Sequence, residues 1–276
     1  MYRNRAVIAS AEQAEAIWAE RLAKDRRDFE SAWKLARARY WLGGHAPETR
    51  RKAYLEAGIA AGRTAVAIAP DKPDGHFWMA ANMGALAESF GLRQGLKYRG
   101  DIKATLETVL RLDPAYLQGS ADRALGRWYF KVPGLFGGSD RKSEEHLRKS
   151  LTYNPNSHSS LFFLAETLVE LNKKDEAREV LRRLEAAPLD PDWEPEDREF
   201  KQKGQRLLAG IGGASQRLGS RGSPGSTGSP GSTGSGFYGF CGFWVLRVRG
   251  SPVLRVLEHQ RHLRTRRTRT RRTQNP

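Results

Sequence analysis

The chain has 276 residues, a formal net charge of +16 at pH 7 and one cysteine, Cys241. One cysteine excludes an intrachain disulfide framework and a cysteine-ligated metal site. No apolar run is long enough to span a bilayer, and the apolar stretch after Met1 is too short for the core of an export signal. The sequence as written therefore predicts a cytoplasmic protein, whereas a signal peptide encoded upstream of Met1 would predict a periplasmic one.

The positive charge lies mostly in one part of the chain. Residues 216–276 contain 12 arginines and a single acid, Glu258, so the preceding residues carry a net charge of only +5. The high overall charge therefore does not indicate a nucleic-acid-binding body. Residues 1–212 are rich in the helix formers Ala, Leu, Glu, Lys and Arg and lack the alternation typical of strands, which predicts an all-α body.

Ten helices are predicted in chain order from apolar spacing, N-cap residues and Gly or Pro stops. Ser139 and Asn156 are candidate N-caps. The predicted ranges are 11–24, 28–42, 47–69, 75–90, 94–112, 117–131, 140–153, 157–172, 175–187 and 196–210. The last helix is expected to cap the open end of a stacked array.

The region from His158 to Pro188 matches a helix-turn-helix repeat of about 34 residues. Its apolar residues are spaced three and four apart, so each helix has one apolar face. They are Leu161, Leu164, Ala165 and Leu168 on the first helix and Ala177, Leu181 and Leu184 on the second. Preceding units also end at prolines, namely Pro70, Pro114 and Pro155. These units are longer, and the additional residues are expected in loops at 84–100 and 131–138.

This pattern resembles the tetratricopeptide repeat (TPR), in which antiparallel helix pairs stack into an α-solenoid. The resemblance predicts an all-α, TPR-like solenoid followed by a disordered tail. The predicted segments are an N-terminal helix at 1–27, TPR-like repeats at 28–189, a capping helix at 190–212 and a disordered, low-complexity basic tail at 213–276.

The tail differs in composition from the rest of the chain. The segment 222–227 is repeated at 228–233. A segment this rich in Gly, Ser and Pro buries too little apolar area to fold. The arginine-threonine run at 261–273 could bind polyanions such as RNA nonspecifically. One alternative is that the arginine-threonine run binds polyanions without this being the function of the tail. Another is that the tail is simple-repeat DNA translated out of frame.

The sequence contains no pattern typical of catalysis or metal binding. No two histidines have the spacing of a metal site, and the glycine-rich segment 134–139 lacks the Lys-Ser/Thr pair of a nucleotide-binding loop. Ser159 and Ser160 are expected to lack both a nucleophile elbow and a nearby His-acid pair, which argues against hydrolase chemistry. We therefore expect neither enzyme activity nor a cofactor.

Adjacent aromatic residues on three predicted first helices indicate a candidate binding surface. Neighbours on a helix point about 100° apart, so they cannot all face one packing layer. One hypothesis is that residues of these helices line the concave surface and anchor a peptide or an elongated apolar ligand. These residues are Trp78, Asn82, Arg127 and Phe162. The alternative is that all the aromatic residues belong to the core.

Residues 30–188 resemble two more specific groups of proteins. The shared features are Trp33, Ala36–Ala38 and Tyr40, the Phe77–Ala80 and Leu125–Tyr129 helices, and the Pro133–Gly138 loop. They are similar to the T component of tripartite ATP-independent periplasmic (TRAP) transporters and to regulators of microtubule dynamics. The first resemblance implies a secreted or lipid-anchored protein that assembles with a substrate-binding partner, although the chain has no export signal or lipobox cysteine. The second implies tubulin association.

These features together predict a non-catalytic TPR scaffold that binds a protein or peptide partner on its concave face. The alternative is a transporter-associated periplasmic component that binds a hydrophobic or anionic small ligand.

Overall fold

A computed structural model describes residues 2–216, which contain ten α-helices, two 3-10 turns and no strand. The helices are α1 Ile8–Lys24, α2 Phe29–His45, α3 Glu48–Ile68, α4 Pro73–Ser89, α5 Leu92–Leu112, α6 Tyr116–Lys131, α7 Asp140–Tyr153, α8 His158–Glu170, α9 Lys174–Ala186 and α10 Glu194–Gln216, and the 3-10 turns are Tyr2–Asn4 and Gly134–Phe136. Each helix begins within three residues of its predicted start, so the predicted all-α class is confirmed. Helix α10 continues to Gln216, so residues 213–216 of the predicted tail are helical, and the tail from residue 217 onward lies outside the described residues.

Each helix packs against the next one in the chain. The first helices of neighbouring pairs also touch, since α2 packs on α4 and α6 packs on α8. One core cluster is formed mainly by α2–α6 and a second by α7–α10. The apolar residues predicted to face the core of the last repeat are all buried, namely Leu161, Leu164, Ala165, Leu168, Ala177, Leu181 and Leu184. The predicted solenoid of helix pairs is therefore confirmed.

The expected loop at 84–100 is wrong, because only Phe90 and Gly91 separate α4 from α5. Gly91 has a φ of 84°, a conformation that glycine adopts without steric cost. The chain therefore leaves α4 and enters α5 within two residues, and the additional residues lengthen the helices. The expected loop at 131–138 is confirmed, since the chain between α6 and α7 contains only the short 3-10 turn.

Serine side chains cap two helices of the later repeats. Ser139 accepts a hydrogen bond from a backbone N–H of α7, as predicted. The cap of α8 is Ser157, which accepts from Ser160 N, so the prediction of Asn156 is wrong by one residue. The reason is that the Asn154 side chain accepts from Asn156 N and holds that residue in a turn before the helix. His158 consequently becomes the first residue of α8.

Helix α10 contacts both the last helix pair and the start of the chain. Phe200 packs against Phe162 and Phe163 of α8, with ring centroids 5.6 and 5.5 Å apart. Near its N-terminal end, Glu196 pairs with Arg5. No helix within residues 2–216 combines the length and the apolar character needed to cross a membrane.

Candidate binding groove

The N-terminal segment, residues 2–5, is held between α2 and α10. Arg5 is 2% exposed, and its guanidinium donates to the two carboxylate oxygens of Glu196 at 3.0 and 2.6 Å. Its backbone carbonyl accepts a hydrogen bond from Trp41 Nε1 at 2.8 Å. Burial raises the pKa of the Glu196 carboxyl, and the hydrogen bonds from Arg5 oppose that shift. These contacts fix Tyr2 and Arg5 in the wall of a groove.

Two adjoining cavities form this groove. The first measures about 390 Å³ and is lined by Tyr2, Arg3, Arg5, Arg37, Leu117, Asp192 and Trp193. The second measures about 410 Å³ and is bounded by the α7–α8 turn, the α9–α10 loop and the start of α10. Leu117 and Trp193 line both cavities, so we call the pair the N-terminal groove. Each volume falls in the range of roughly 300–1,000 Å³ that is typical of ligand sites.

Arg37 of α2 is the distinctive group of the first cavity. Its guanidinium carbon lies 4.2 Å from the ring centroid of Tyr2 and 5.0 Å from that of Trp33. Its Nε is buried without a hydrogen-bond partner, and no carboxylate among residues 2–216 lies within ion-pair distance of it. Burial lowers the pKa of the Arg37 guanidinium and raises that of the Tyr2 hydroxyl to about 12. Arg37 is therefore a partly exposed cation of the cavity wall, near Asp192 but without a direct ion pair among residues 2–216.

His158 of α8 is the distinctive group of the second cavity. It is 2% exposed, and its Nδ1 lies 3.1 Å from Asp197 Oδ1. Asp197 is itself positioned by the backbone N–H of Asp190, which donates to Oδ2 at 2.9 Å. Since a carboxylate only accepts, the ring carries a proton on Nδ1, which faces Asp197. The other ring nitrogen, Nε2, is buried without a hydrogen-bond partner.

The wall between the two cavities includes a left-handed turn at the start of α6. The turn consists of Leu117 (φ 44°, ψ 49°), Gln118 (φ 58°, ψ 48°) and Gly119 (φ 76°, ψ 30°). For residues with a Cβ this conformation costs on the order of 1–2 kcal/mol each. Leu117 lies in the lining of both cavities. Such strain is concentrated at binding sites in proteins, which supports the groove as a functional site.

The four residues predicted to line a concave surface are all buried. Their exposed fractions are 3% for Trp78, 0% for Asn82, 1% for Arg127 and 8% for Phe162. None of the four is among the residues that line the N-terminal groove. Their burial does not agree with the expectation of side chains on an open surface.

The contacts of these residues explain their burial. Asn82 Nδ2 donates to the carbonyls of Ala36 at 3.0 Å and Trp78 at 2.7 Å, which ties α4 to α2. Arg127 pairs with Glu166 of α8. Phe162 is covered by α10. Neighbouring helices thus cover the helix faces that the sequence analysis had predicted to line an open surface. A role of these residues in partner binding stays a prediction.

Sequence reasoning missed Arg37 and His158. Arg37 follows Trp33 by four residues on α2, so the two side chains lie on the same face of that helix. This spacing could have indicated Arg37 as a candidate site residue. His158 carries no local signal, because its partner Asp197 belongs to a distant helix.

A second charged cluster joins α4, α6 and α8. Lys131 is 5% exposed, and burial lowers its pKa to about 7, with Arg127 adding to the shift. Three carboxylates oppose the shift, those of Glu88, Glu166 and Glu170. The cluster is made of opposite charges from three first helices, so we interpret it as a link between repeats. Within residues 2–216, no group of three or more His, Cys, Asp or Glu side chains could hold a metal ion.

The stacked helix pairs define the chain as a TPR-like helical repeat protein, and a solved structure agrees. The chain is similar to a thermophilic TPR protein from Thermus thermophilus, with 19% identity, a TM-score of 0.57 and coverage of 75% of this chain and 94% of that one. Two structures of MamA cover 74% of the chain at 14% and 13% identity, and 97% and 91% of their own chains, with TM-scores of 0.44 and 0.43.

A family comparison gives a narrower resemblance. Residues 6–136 match the family described as regulator of microtubule dynamics protein 1-3. No curated protein sequence matches the chain. The protein is thus TPR-like and resembles regulators of microtubule dynamics over its N-terminal helices.

Proposed function

We propose that the protein is a non-catalytic scaffold that binds a segment of a partner protein in the N-terminal groove. The observation that carries this proposal is the pair of cavities that share Leu117 and Trp193 in their lining and that are bounded by residues of α2, α6, α8 and α10. Helical repeat proteins use extended surfaces of this kind to bind other chains.

The chemistry of the second cavity supports a binding role over catalysis. His158 and Asp197 resemble the base and orienting acid of a hydrolase, and serines lie close by. The hydroxyl of Ser160, however, bonds to those of Ser157 at 3.0 Å and Ser150 at 2.9 Å, and no hydroxyl of the described residues bonds to His158 Nε2. The dyad therefore lacks the nucleophile that acyl-transfer chemistry needs.

The groove can be blocked at residues that are not fully buried. Leu117→Arg and Gln118→Trp place bulk at the junction of the two cavities, while Lys52→Ala alters an exposed position on α3. The full chain and these variants are immobilised, and the proteins that they retain from source-organism cells are compared by quantitative mass spectrometry. The affinity of a retained protein is then measured with purified components.

We expect a specific partner to bind the natural chain and Lys52→Ala equally and to bind the groove variants at least about tenfold more weakly, equivalent to about 1.4 kcal/mol. Circular dichroism and thermal melting check that the groove variants remain folded. Retention of every partner by both groove variants would contradict the proposal.

A further inference from the structure

We infer that the surface around His146 of α7 is a binding site for a phosphate monoester, such as the side chain of a phosphorylated serine. The site lies where α5 and α7 flank Tyr129 of α6. Its residues are Lys103, Tyr129, Lys142, His146 and Lys149, and none of them is among the residues that line the N-terminal groove. The inference is therefore independent of the scaffold function proposed above.

A buried carboxylate of α6 fixes the imidazole ring of His146. Asp122 is 0% exposed, and its Oδ1 lies 2.8 Å from His146 Nδ1. Since a carboxylate only accepts, Nδ1 carries a proton. The ring also stacks on Tyr129, with centroids 5.4 Å apart and planes inclined by 15°. These two contacts hold the ring in one orientation before any ligand binds, which lowers the entropy cost of binding.

The other ring nitrogen of His146 is accessible. The side chain is 24% exposed, and Nε2 is neither buried nor hydrogen-bonded to any of residues 2–216. The contact with Asp122 joins α6 to α7, but it does not use Nε2. A ligand can therefore reach this nitrogen, which accepts a hydrogen bond when the ring is uncharged and donates one when the ring is protonated.

Three lysines flank this imidazole. Lys142 and Lys149 lie one turn before it and one turn after it on α7, and therefore on the same face of the helix. The Nζ atom of Lys142 lies 5.5 Å from the ring centroid of Tyr129, and that of Lys103 on α5 lies 5.7 Å from the same centroid. The Nζ atom of Lys103 is also 3.5 Å from Glu107, so this cation is partly compensated.

The nearby carboxylates leave positive charge uncompensated. Asp122 contacts both His146 and Lys149, and one carboxylate does not neutralise two cations when the ring is protonated. Lys142 has no carboxylate within ion-pair distance in the described part of the chain. Glu145 is exposed, but neighbours on a helix point about 100° apart, so it lies to one side of His146.

A phosphate monoester matches this site better than a carboxylate does. It carries about −1.5 to −2 charge at pH 7 and has three acceptor oxygens, so it can contact His146 and two lysines at once. Its second pKa is about 6, so near neutral pH it exists both as an acid that donates to an uncharged Nε2 and as a dianion that accepts from a protonated one. A carboxylate is ionised at pH 7, only accepts and carries a single charge.

The test uses the full chain labelled with 15N in histidine, at constant pH and ionic strength. The probes are inorganic phosphate and an end-blocked phosphoserine peptide, with acetate and the unphosphorylated peptide as matched controls. The ring 15N signals of His146, assigned by their loss in His146→Gln, report binding at the site. The signals of His259 and His262 report phosphate that binds to the arginine-threonine run at 261–273 instead.

We expect inorganic phosphate or the phosphoserine peptide to shift the His146 signals, and acetate and the unphosphorylated peptide to leave them unchanged at the same concentration. The probe that binds more tightly identifies the source of the phosphate group. Unchanged His146 signals with both phosphate probes, whether or not those of His259 and His262 move, would overturn the inference. Equal affinity for acetate and phosphate would overturn it as well.

Variants at partly exposed or exposed lysines give an independent check. Lys142→Gln and Lys103→Gln should each weaken binding of the tighter probe at least about threefold, as measured by the His146 signals, because each removes a charge-assisted contact. Lys52→Gln removes an exposed lysine of α3 and should leave the affinity unchanged. Thermal melting checks that the variants remain folded. Full affinity in both Lys142→Gln and Lys103→Gln would contradict a site formed by α5 and α7.

Discussion

Arg5 and Glu196, 191 residues apart in the chain, form a two-point ion pair that joins the N-terminal segment to α10. The side chains are 3% and 13% exposed, so the pair is largely withdrawn from water. Because Arg5 also donates to the carbonyl of Asp192 at 2.7 Å, it fixes the loop that leads into α10. The pair therefore holds together two walls of the N-terminal groove.

Removing one partner of this pair should destabilise the protein and loosen the groove. Arg5→Met or Glu196→Gln is expected to lower the free energy of unfolding by about 3 kcal/mol, because the buried charge that remains loses its counter-charge. Urea denaturation measures this loss, and hydrogen exchange should show faster exchange in residues 189–200. The double variant Arg5→Met, Glu196→Met should recover much of the loss.

An exposed pair on the same helix is the control. Arg198 and Glu194 have side chains that are 62% and 47% exposed, so Arg198→Met should cost under about 1 kcal/mol. Equal losses from Arg5→Met and Arg198→Met would show that burial of the first pair contributes nothing.

The fold was predictable because its signals are local. The apolar spacing of Leu161, Leu164 and Leu168 defines one helix, and stacking of similar pairs follows from the need to bury each apolar face. The expected loop at 84–100 failed for a local reason too, since a single positive-φ glycine at 91 suffices for the turn.

The groove was not predictable, because its walls come from segments far apart in sequence. Arg37, Leu117 and Trp193 belong to α2, to the start of α6 and to the loop before α10. Whether a charged side chain in the groove has an ion-pair partner depends on how these segments pack together. The spacing of residues along the chain does not specify that packing. The predicted site residues were hidden by the same packing, as Phe162 beneath Phe200 shows.

Asn82 should act through packing with Gly58 of α3. A Cβ at position 58 would lie 2.1 Å from Asn82 Oδ1, so Gly58→Ala forces a clash in a buried site. We expect Gly58→Ala to cost about 2 kcal/mol through overpacking. Asn82→Ala should cost about 1–2 kcal/mol, because the carbonyls of Ala36 and Trp78 lose a donor.

A double-mutant cycle measures the coupling of these two positions. In the variant Gly58→Ala, Asn82→Ala, the new methyl group occupies space that the amide left, so the double loss should be smaller than the sum of the single losses by about 1 kcal/mol. Strict additivity in urea denaturation would contradict the contact.

Substitution of Arg127 tests whether this residue stabilises the fold or binds a partner. It pairs with Glu166, and its guanidinium carbon lies 4.4 Å from the ring centroid of Phe163. Arg127→Met should cost about 3 kcal/mol by removing the buried ion pair with Glu166, and the double variant Arg127→Met, Glu166→Met should regain part of it. The measurement is chemical denaturation together with partner affinity, compared with Leu117→Arg. Loss of the partner by Arg127→Met at unchanged stability would instead support the surface role predicted from the sequence.

Lys131 should make stability depend on pH in the alkaline range. Burial lowers its pKa from 10.5 to about 7 in the folded protein. Between these two pH values the unfolded chain binds more protons at this position than the folded chain does, so the free energy of unfolding rises with pH. The slope from one such group is at most about 1.4 kcal/mol per pH unit, and it vanishes below pH 7, where both states are protonated.

The measurement compares the natural chain with Lys131→Met between pH 7.5 and 9.5, which keeps clear of tyrosine ionisation in the unfolded chain. Over this range the stability of the natural chain should rise relative to that of Lys131→Met by about 2–3 kcal/mol, because only the natural chain loses the cost of a buried ammonium. Lys52→Met removes a lysine whose side chain is 51% exposed, and its pH profile should parallel that of the natural chain. Parallel profiles for Lys131→Met and the natural chain would mean that Lys131 keeps its charge in the folded state, and that Glu88, Glu166 and Glu170 outweigh its desolvation.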